Sequence, residues 1–232
     1  MRTRPSATRV LHCPQIPERH SNGMSTPHAA TISDLMTRTM VAWGVRWVFG
    51  MVGHSNLGIA DALRLQEEAG ALRFIGIRHE GAASFAISAY GKLTGRPAAA
   101  LSIAGPGATN LLTGLWDAHV DRAPALALTG QVDTQVLGPG AFQEIDLKAA
   151  FGGVALWSQT VLQTSRHAEL MNLACKHAIL GRGVAHLIFP DEVAKAPAPA
   201  NAQPGGPQGR IPERTIHPPD AALAAAQALL RA

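Results

Sequence analysis

Between residues 31 and 190, apolar positions follow two alternating rhythms. Residues 31–44 (TISDLMTRTMVAWG) carry them at helical spacing, with Thr31 or Ser33 as the cap and Gly44 as the stop. Residues 45–53 (VRWVFGMVG) form a continuous apolar run closed by a glycine turn, the pattern of a buried strand. The rhythm repeats: helix at 57–70, strand at 73–77 (RFIGI), helix at 80–95, strand at 96–104 running into GPG, helix at 108–121, strand at 124–132. After a loop at 133–144 and a short helix come a strand at 154–162, a helix at 165–181 and a last strand at 184–190 (VAHLIFP). Short apolar strands alternating with helices predict an α/β fold: a doubly wound, mainly parallel sheet of about six strands with helices on both faces.

The pattern also divides the chain. Residues 1–27 lack periodicity and are expected to be a disordered basic extension; 28–190 hold the α/β domain. Residues 191–219 are rich in Pro and Gly and predict a linker. Residues 220–232 (DAALAAAQALLRA) predict a helix capped by Asp220, the first element of a domain that the sequence does not continue. On this reading the chain is a truncated product, an excised domain or a subunit that needs a partner.

The net charge of +4 points towards nucleic acid until it is located. Residues 1–23 hold Arg2, Arg4, Arg9 and Arg19 against Glu18, which is three of the four net charges. With few aromatics and no basic face, a nucleic-acid partner is not expected. The start is Arg-rich and nearly free of acid, as transit peptides are. A disordered extension, or sequence ahead of a true start at Met24, is the preferred reading. Only Cys13 and Cys175 are present, with no C-x-x-C pair, which excludes a disulfide scaffold or zinc knuckle and fits a cytoplasmic protein. No apolar run approaches membrane-spanning length.

Candidate chemistry gathers where strands hand over to helices, the edge at which doubly wound sheets bind ligands. Gly53–His54–Ser55 follows the first strand, Glu80 the second, GPGATN (105–110) the third, and GAFQE (140–144) lies further on. GPGATN is neither a dinucleotide fingerprint nor a P-loop, and serves equally as an anion-binding turn or as a tight turn with no ligand. His79–Glu80 fails the zinc-protease pattern, because Ala83 stands where the second histidine belongs. In WDAHVD, Asp117 and Asp121 share a helical face that His119 leaves, so a solvated or capping role outweighs a metal. Asp34, Asp61, Glu67 and Glu68 read as exposed helix charges, and Met36, Met40 and Met51 as core filler. His167, His177 and His186 read as surface or satisfied core, and G-x-S-x-G is absent. Glu80 stands out: a carboxylate between two buried elements carries a desolvation cost, unless it caps its helix or has a task.

RHEGAASFAISAYGKLTG, LSIAGPGATNLLTGLWDAHVDRAPALALTGQV and GAFQE together resemble the N-terminal pyrimidine-binding domain of thiamine-diphosphate enzymes, nearest the acetolactate synthase and pyruvate oxidase branch. The likeness runs from about residue 31 to 190. It implies that Glu80 is catalytic: it bonds N1′ of the aminopyrimidine and favours the tautomer whose 4′-nitrogen removes the C2 proton of the thiazolium. It implies that Val52, Gly53, Glu80, Pro106, Asn110 and Gln143 bind the cofactor, with Phe142 and Gln143 close to the reacting centre. His54 departs from the small or acidic residues of that turn; it faces substrate or caps a helix. The implied reaction decarboxylates pyruvate or another 2-keto acid, by carboligation or by oxidation. Mg2+ and the diphosphate are held in the family by a GDG-bearing domain, and several members bind FAD in a central domain. No GDG occurs here. The resemblance further implies a homodimer or tetramer, or a diphosphate-binding partner chain. Two rivals stand beside it: a non-catalytic regulatory subunit of a full-length relative, and an independent anion- or nucleotide-binding module using GPGATN.

Overall fold

The computed structural model describes residues 29–211 and 217–231. The basic N-terminal stretch, Cys13 and residues 212–216 of the Pro/Gly-rich segment lie outside the described residues.

Six strands form one sheet: β1 (Trp47–Gly50), β2 (Arg73–Gly76), β3 (Ala98–Ser102), β4 (Ala125–Gln131), β5 (Ala155–Thr160) and β6 (Val184–Pro190). Their order is β2-β1-β3-β4-β6-β5 and every pairing is parallel. The expected doubly wound sheet is therefore the observed one. The helices are α1 (Ile32–Ala42), α2 (Leu57–Glu68), α3 (Glu80–Thr94), α4 (Pro106–Thr109), α5 (Leu112–Val120), α6 (Leu147–Ala150), α7 (His167–Gly181), α8 (Asp191–Lys195) and α9 (Asp220–Arg231).

Alternation along the central strands sends successive side chains to opposite faces. Ala99, Leu101, Leu126, Leu128, Ala185 and Leu187 join α1, α2, α7 and α8 in one core. Ala98, Ala100, Ala125, Ala127, Val184 and Ile188 join α3, α5 and α6 in the other. The second face is mostly alanine on the sheet side, with α3 packed against it and α5 packed against α3. Chain order reverses between β1 and β3: β2 lies outside β1 on one side, and β3 lies on the other. A crevice opens at such a reversal beyond the carboxyl ends of the strands.

Several side chains depart from the expected pattern. Thr31, not Ser33, caps α1, accepting from the Asp34 N–H. Asp34 is not an exposed charge: it is 2% exposed, accepts from the Ala30 N–H at 3.0 Å and pairs with Arg38 at 2.9 Å. Glu67 is half-buried and accepts the Phe74 N–H at 3.0 Å. Arg73 and Ile77 donate inward to β1, so Phe74 presents its N–H to the free edge of the sheet. His186 bridges β4, β6 and β5, its ring nitrogens 2.9 Å from the Thr129 and Ser158 hydroxyls and its ring stacked on Phe151 at 3.8 Å. Burial pushes its imidazole down to about 3.

The Pro/Gly-rich segment opens as α8 rather than as linker, with Val193 and Ala194 buried. It then crosses α1 and α7. Ala198 donates to Ala30 O and Gly205 to the Thr39 hydroxyl, and Arg210 pairs with Glu169. Its order comes from these separate pins and not from any repeat, which is why periodicity misses it. All described side chains of α9 are exposed. No helix among the described residues is long and apolar enough to cross a membrane.

Candidate functional site

Three turns meet at the reversal between β1 and β3. The first, after β1, is closed by Asn56, whose Oδ1 accepts the Gly53 N–H at 2.9 Å while its Nδ2 donates to Met51 O. Ser55 ties this turn to the third, its hydroxyl accepting the Ala104 N–H at 2.8 Å. Val52 and His54 are exposed. Val52 faces a groove of about 400 Å³ shared with Leu57, Ala60 and Phe74.

The second turn, after β2, delivers Glu80. His79, extended at φ −151°, is the N-cap of α3, and its Nδ1 accepts the Gly81 N–H at 3.0 Å. The capping role open to Glu80 therefore belongs to its neighbour. Glu80 is the first helical residue and only 6% exposed. Its Oε2 accepts from Asn110 Nδ2 at 3.0 Å. Among the described residues Oε1 has no hydrogen-bond partner.

The third turn needs its glycines. Gly105 adopts φ +65°, a conformation that L side chains rarely take, and a Cβ there would lie 2.7 Å from Gln143 O. At Gly107 a Cβ would lie 2.5 Å from Ile103 Cγ1 and 3.0 Å from Glu80 Oε1. The bare backbone of Gly107 thus lies against the free oxygen of Glu80. Ile103 also touches Gly53, where a Cβ would meet its Cγ2 at 2.6 Å, so one side chain spaces the first turn from the third. Pro106, at the first position of α4, is exposed. The helix expected over 108–121 is interrupted: Leu111 bonds three residues back to Ala108 O, and Asn110 gives its side chain to Glu80.

The loop after β4 reaches the same place. Gln143 packs its backbone against Gly105, and Phe142 is 88% exposed. Glu80 is thus joined directly to Asn110, and Gly105 to Gln143; Gly107 lies against Glu80, and Ile103 touches both Gly107 and Gly53. Val52, His54, Pro106 and Phe142 stand at the rim in water. Sequence reasoning marked Ser55 only as part of the Gly53–His54–Ser55 turn, and missed Ile103 and Asn56. Only the serine and asparagine left a signal, as turn-forming residues after Gly53–His54.

A buried carboxylate with one oxygen partnered and the other bare beside glycine backbone fits a weakly basic ring nitrogen that brings its own hydrogen-bonding capacity. The WDAHVD acids have other partners. Lys92 lies 2.7 Å from Asp117 and 2.5 Å from Asp121, and with Ser88 it holds the Asp117 carboxyl below the usual range. His119 stacks on Trp116 at 5.6 Å. No group of three or more His, Cys, Asp or Glu among the described residues is placed to hold a metal ion.

Residues 30–150, just over half of the chain, match the family described as thiamine pyrophosphate enzyme, N-terminal TPP binding domain. The YdaP protein of Bacillus subtilis (strain 168), whose name refers to thiamine pyrophosphate, is 41% identical over 163 residues, 70% of this chain and 28% of that protein. An acetolactate synthase of Arthrospira platensis is 39% identical over 154 residues, 66% of this chain and 27% of that enzyme. A pyruvate oxidase of Lactiplantibacillus plantarum is 32% identical over 163 residues, 70% of this chain and 26% of the enzyme. The match spans little more than a quarter of each of these relatives. The resemblance carried by RHEGAASF, GPGATN and GAFQE is thus a family relation: the chain belongs to the thiamine pyrophosphate enzymes, through their N-terminal TPP binding domain.

Proposed function

We propose that the chain is the pyrimidine-binding part of an enzyme that decarboxylates pyruvate or another 2-keto acid, by acetolactate synthase-like carboligation or pyruvate oxidase-like oxidation. The observation that carries this reading is Glu80: 6% exposed, with Oε2 held by Asn110 and Oε1 bare beside Gly107. Thiamine diphosphate, when bound, would supply a nucleophilic thiazolium carbon and a positive ring able to accept the electrons released with carbon dioxide. Everything else asked of this chain is positioning and one proton. Glu80 Oε1 shares a proton with the pyrimidine ring, and Asn110 fixes the carboxylate so that only Oε1 is offered. Gly53, Gly105 and Gly107 keep the wall flat enough for a ring to approach. Val52 and Pro106 border it, and Phe142 and Gln143 stand over the reacting side.

His54, exposed at the rim, is proposed to face substrate. The diphosphate and Mg2+ are assigned to another domain or a partner chain, as the family resemblance implies, and FAD to the central domain where a full-length enzyme has one. Apolar side chains left in water on α3 and α5 (Phe85, Leu93, Trp116, Val120) fit a chain that works paired with another.

Glu80→Gln keeps the size and the Asn110 bond but cannot hold the proton in the same way. The variant should fold as the parent does, while exchange of the thiazolium C2 proton in the assembled enzyme falls by at least about a hundredfold. Exchange at the parental rate would refute the role. Tight binding of a nucleotide, with no uptake of thiamine diphosphate and Mg2+, would favour the anion-binding module instead.

A further inference from the structure

The loop between β4 and α6 is gathered onto one carboxylate. Glu144 accepts the backbone N–H groups of Gly138 at 2.6 Å, Gly140 at 2.9 Å and Ala141 at 2.9 Å. Its own N–H donates back to Ala141 O at 2.9 Å. Backbone donors converging on one point make a concave nest for an anion, and here the chain fills the nest with its own side chain. The same bonds hold the Glu144 carboxyl below the usual carboxylate range.

The turn so held is one that a free chain would abandon. Gly138 and Gly140 take φ +105° and +85°, and Gln143, which has a side chain, takes φ +68°. Glycine loses the most freedom on ordering, and a left-handed glutamine is strained, so the conformation persists only where its surroundings impose it. The base of the loop is fixed separately: Gln131 Nε2 donates to Ile145 O at 2.9 Å, and its Oε1 accepts the Val132 N–H. Between the base and the Gly105 contact, the Glu144 carboxylate is what closes the turn. Phe142, at the tip, is almost wholly in water, so burial of its ring does not hold it there.

We infer that Glu144 is a positioning residue: its carboxylate locks the 138–143 turn and thereby sets where Phe142 and Gln143 stand beside the Gly105 turn. What those two residues face rests on the thiamine-diphosphate reading; the lock itself does not. Glu144→Ala removes all three acceptor bonds, and Glu144→Gln keeps one oxygen to share among them. The lock lies in an exposed loop, away from both cores, so both variants should retain the parental circular dichroism.

Two measurements test this, the first on the chain itself and the second on the assembled enzyme, in which another domain or a partner chain holds the diphosphate. In the first, hydrogen exchange is followed at the Gly138, Gly140 and Ala141 amides. It should speed up by at least about tenfold in Glu144→Ala and by less in Glu144→Gln. In the second, thiamine diphosphate with Mg2+ is titrated calorimetrically. The half-saturating concentration should rise by at least about tenfold in Glu144→Ala, with Glu144→Gln between it and the parent and the stoichiometry unchanged. Parental exchange rates in Glu144→Ala would overturn the lock. Faster exchange with parental half-saturation would overturn the positioning role and leave Glu144 a purely local brace. An assembled parent enzyme that takes up no thiamine diphosphate would instead overturn the functional reading, and the exchange measurement would then decide the lock alone.

Discussion

His186 makes the stability of this domain pH-dependent in a way that one substitution can isolate. The ring is fully buried, both nitrogens face hydroxyls, and its titration is pushed down to about 3 from an ordinary value of 6.5. The folded state therefore keeps it neutral while the unfolded chain binds a proton as pH falls below 6.5. A proton bound only by the unfolded state favours unfolding, so this stability is present above pH 6.5 and drains away as pH falls towards 3. At about 1.4 kcal/mol per pH unit, the fall from 6.5 to 4 amounts to roughly 3 kcal/mol. For a domain of this size that is a shift of roughly 6–12 °C in melting temperature.

The comparison is with His186→Phe, which keeps a ring against Phe151 and cannot titrate. At pH 7 the variant should be less stable by about 2–3 kcal/mol, because the Thr129 and Ser158 hydroxyls lose their partner. Between pH 7 and pH 4, however, its stability should fall by about 3 kcal/mol less than that of the parent. Burial also lowers His167 and His177, with the same sign, and both cancel in the difference. Urea unfolding at the two pH values measures all four stabilities. Equal falls in parent and variant would refute the neutral, bridging histidine.

Two other outcomes are expected. Gly107→Ala places a methyl 2.5 Å from Ile103 Cγ1 and 3.0 Å from Glu80 Oε1, so it should cost about 1–3 kcal/mol in thermal unfolding and weaken thiamine diphosphate uptake together; undiminished uptake would show that this wall is not where the ring lies. With Trp116 54%, Val120 59% and Phe85 49% exposed, sedimentation at micromolar concentration should find the chain associated, and a sharp monomer would count against the paired assembly.

The sheet was legible because most strands are short, largely apolar runs, as in VAHLIFP, and several intervening helices end on a glycine, as at Gly95. Asp34 was not legible. With Arg38 four residues on it has the look of a surface pair, and only the fold of the chain ahead of α1 brings the Ala30 N–H to its second oxygen. Glu80 drew notice by its neighbours in sequence, but its partner Asn110 lies thirty residues away and follows another strand. Ile103 looks like the end of an apolar strand; that it spaces two glycine turns depends on backbone positions no residue pattern encodes. Glu144 sat inside a segment already marked, yet its task depends on a loop folding back on itself, which GPGAFQE permits and does not announce.

The carboxylate that Glu67 lends to Phe74 has a consequence beyond the domain. A parallel sheet ending in a short, half-apolar strand offers any second chain a first rung on which to add itself, and addition of that kind, once begun, repeats without limit. Here the rung is already occupied by a charged side chain from the same molecule, so growth from that margin would have to begin by evicting an anion into a strand-to-strand contact. The chain can leave apolar helix faces open for a partner while keeping this edge of the sheet a poor seed for fibres.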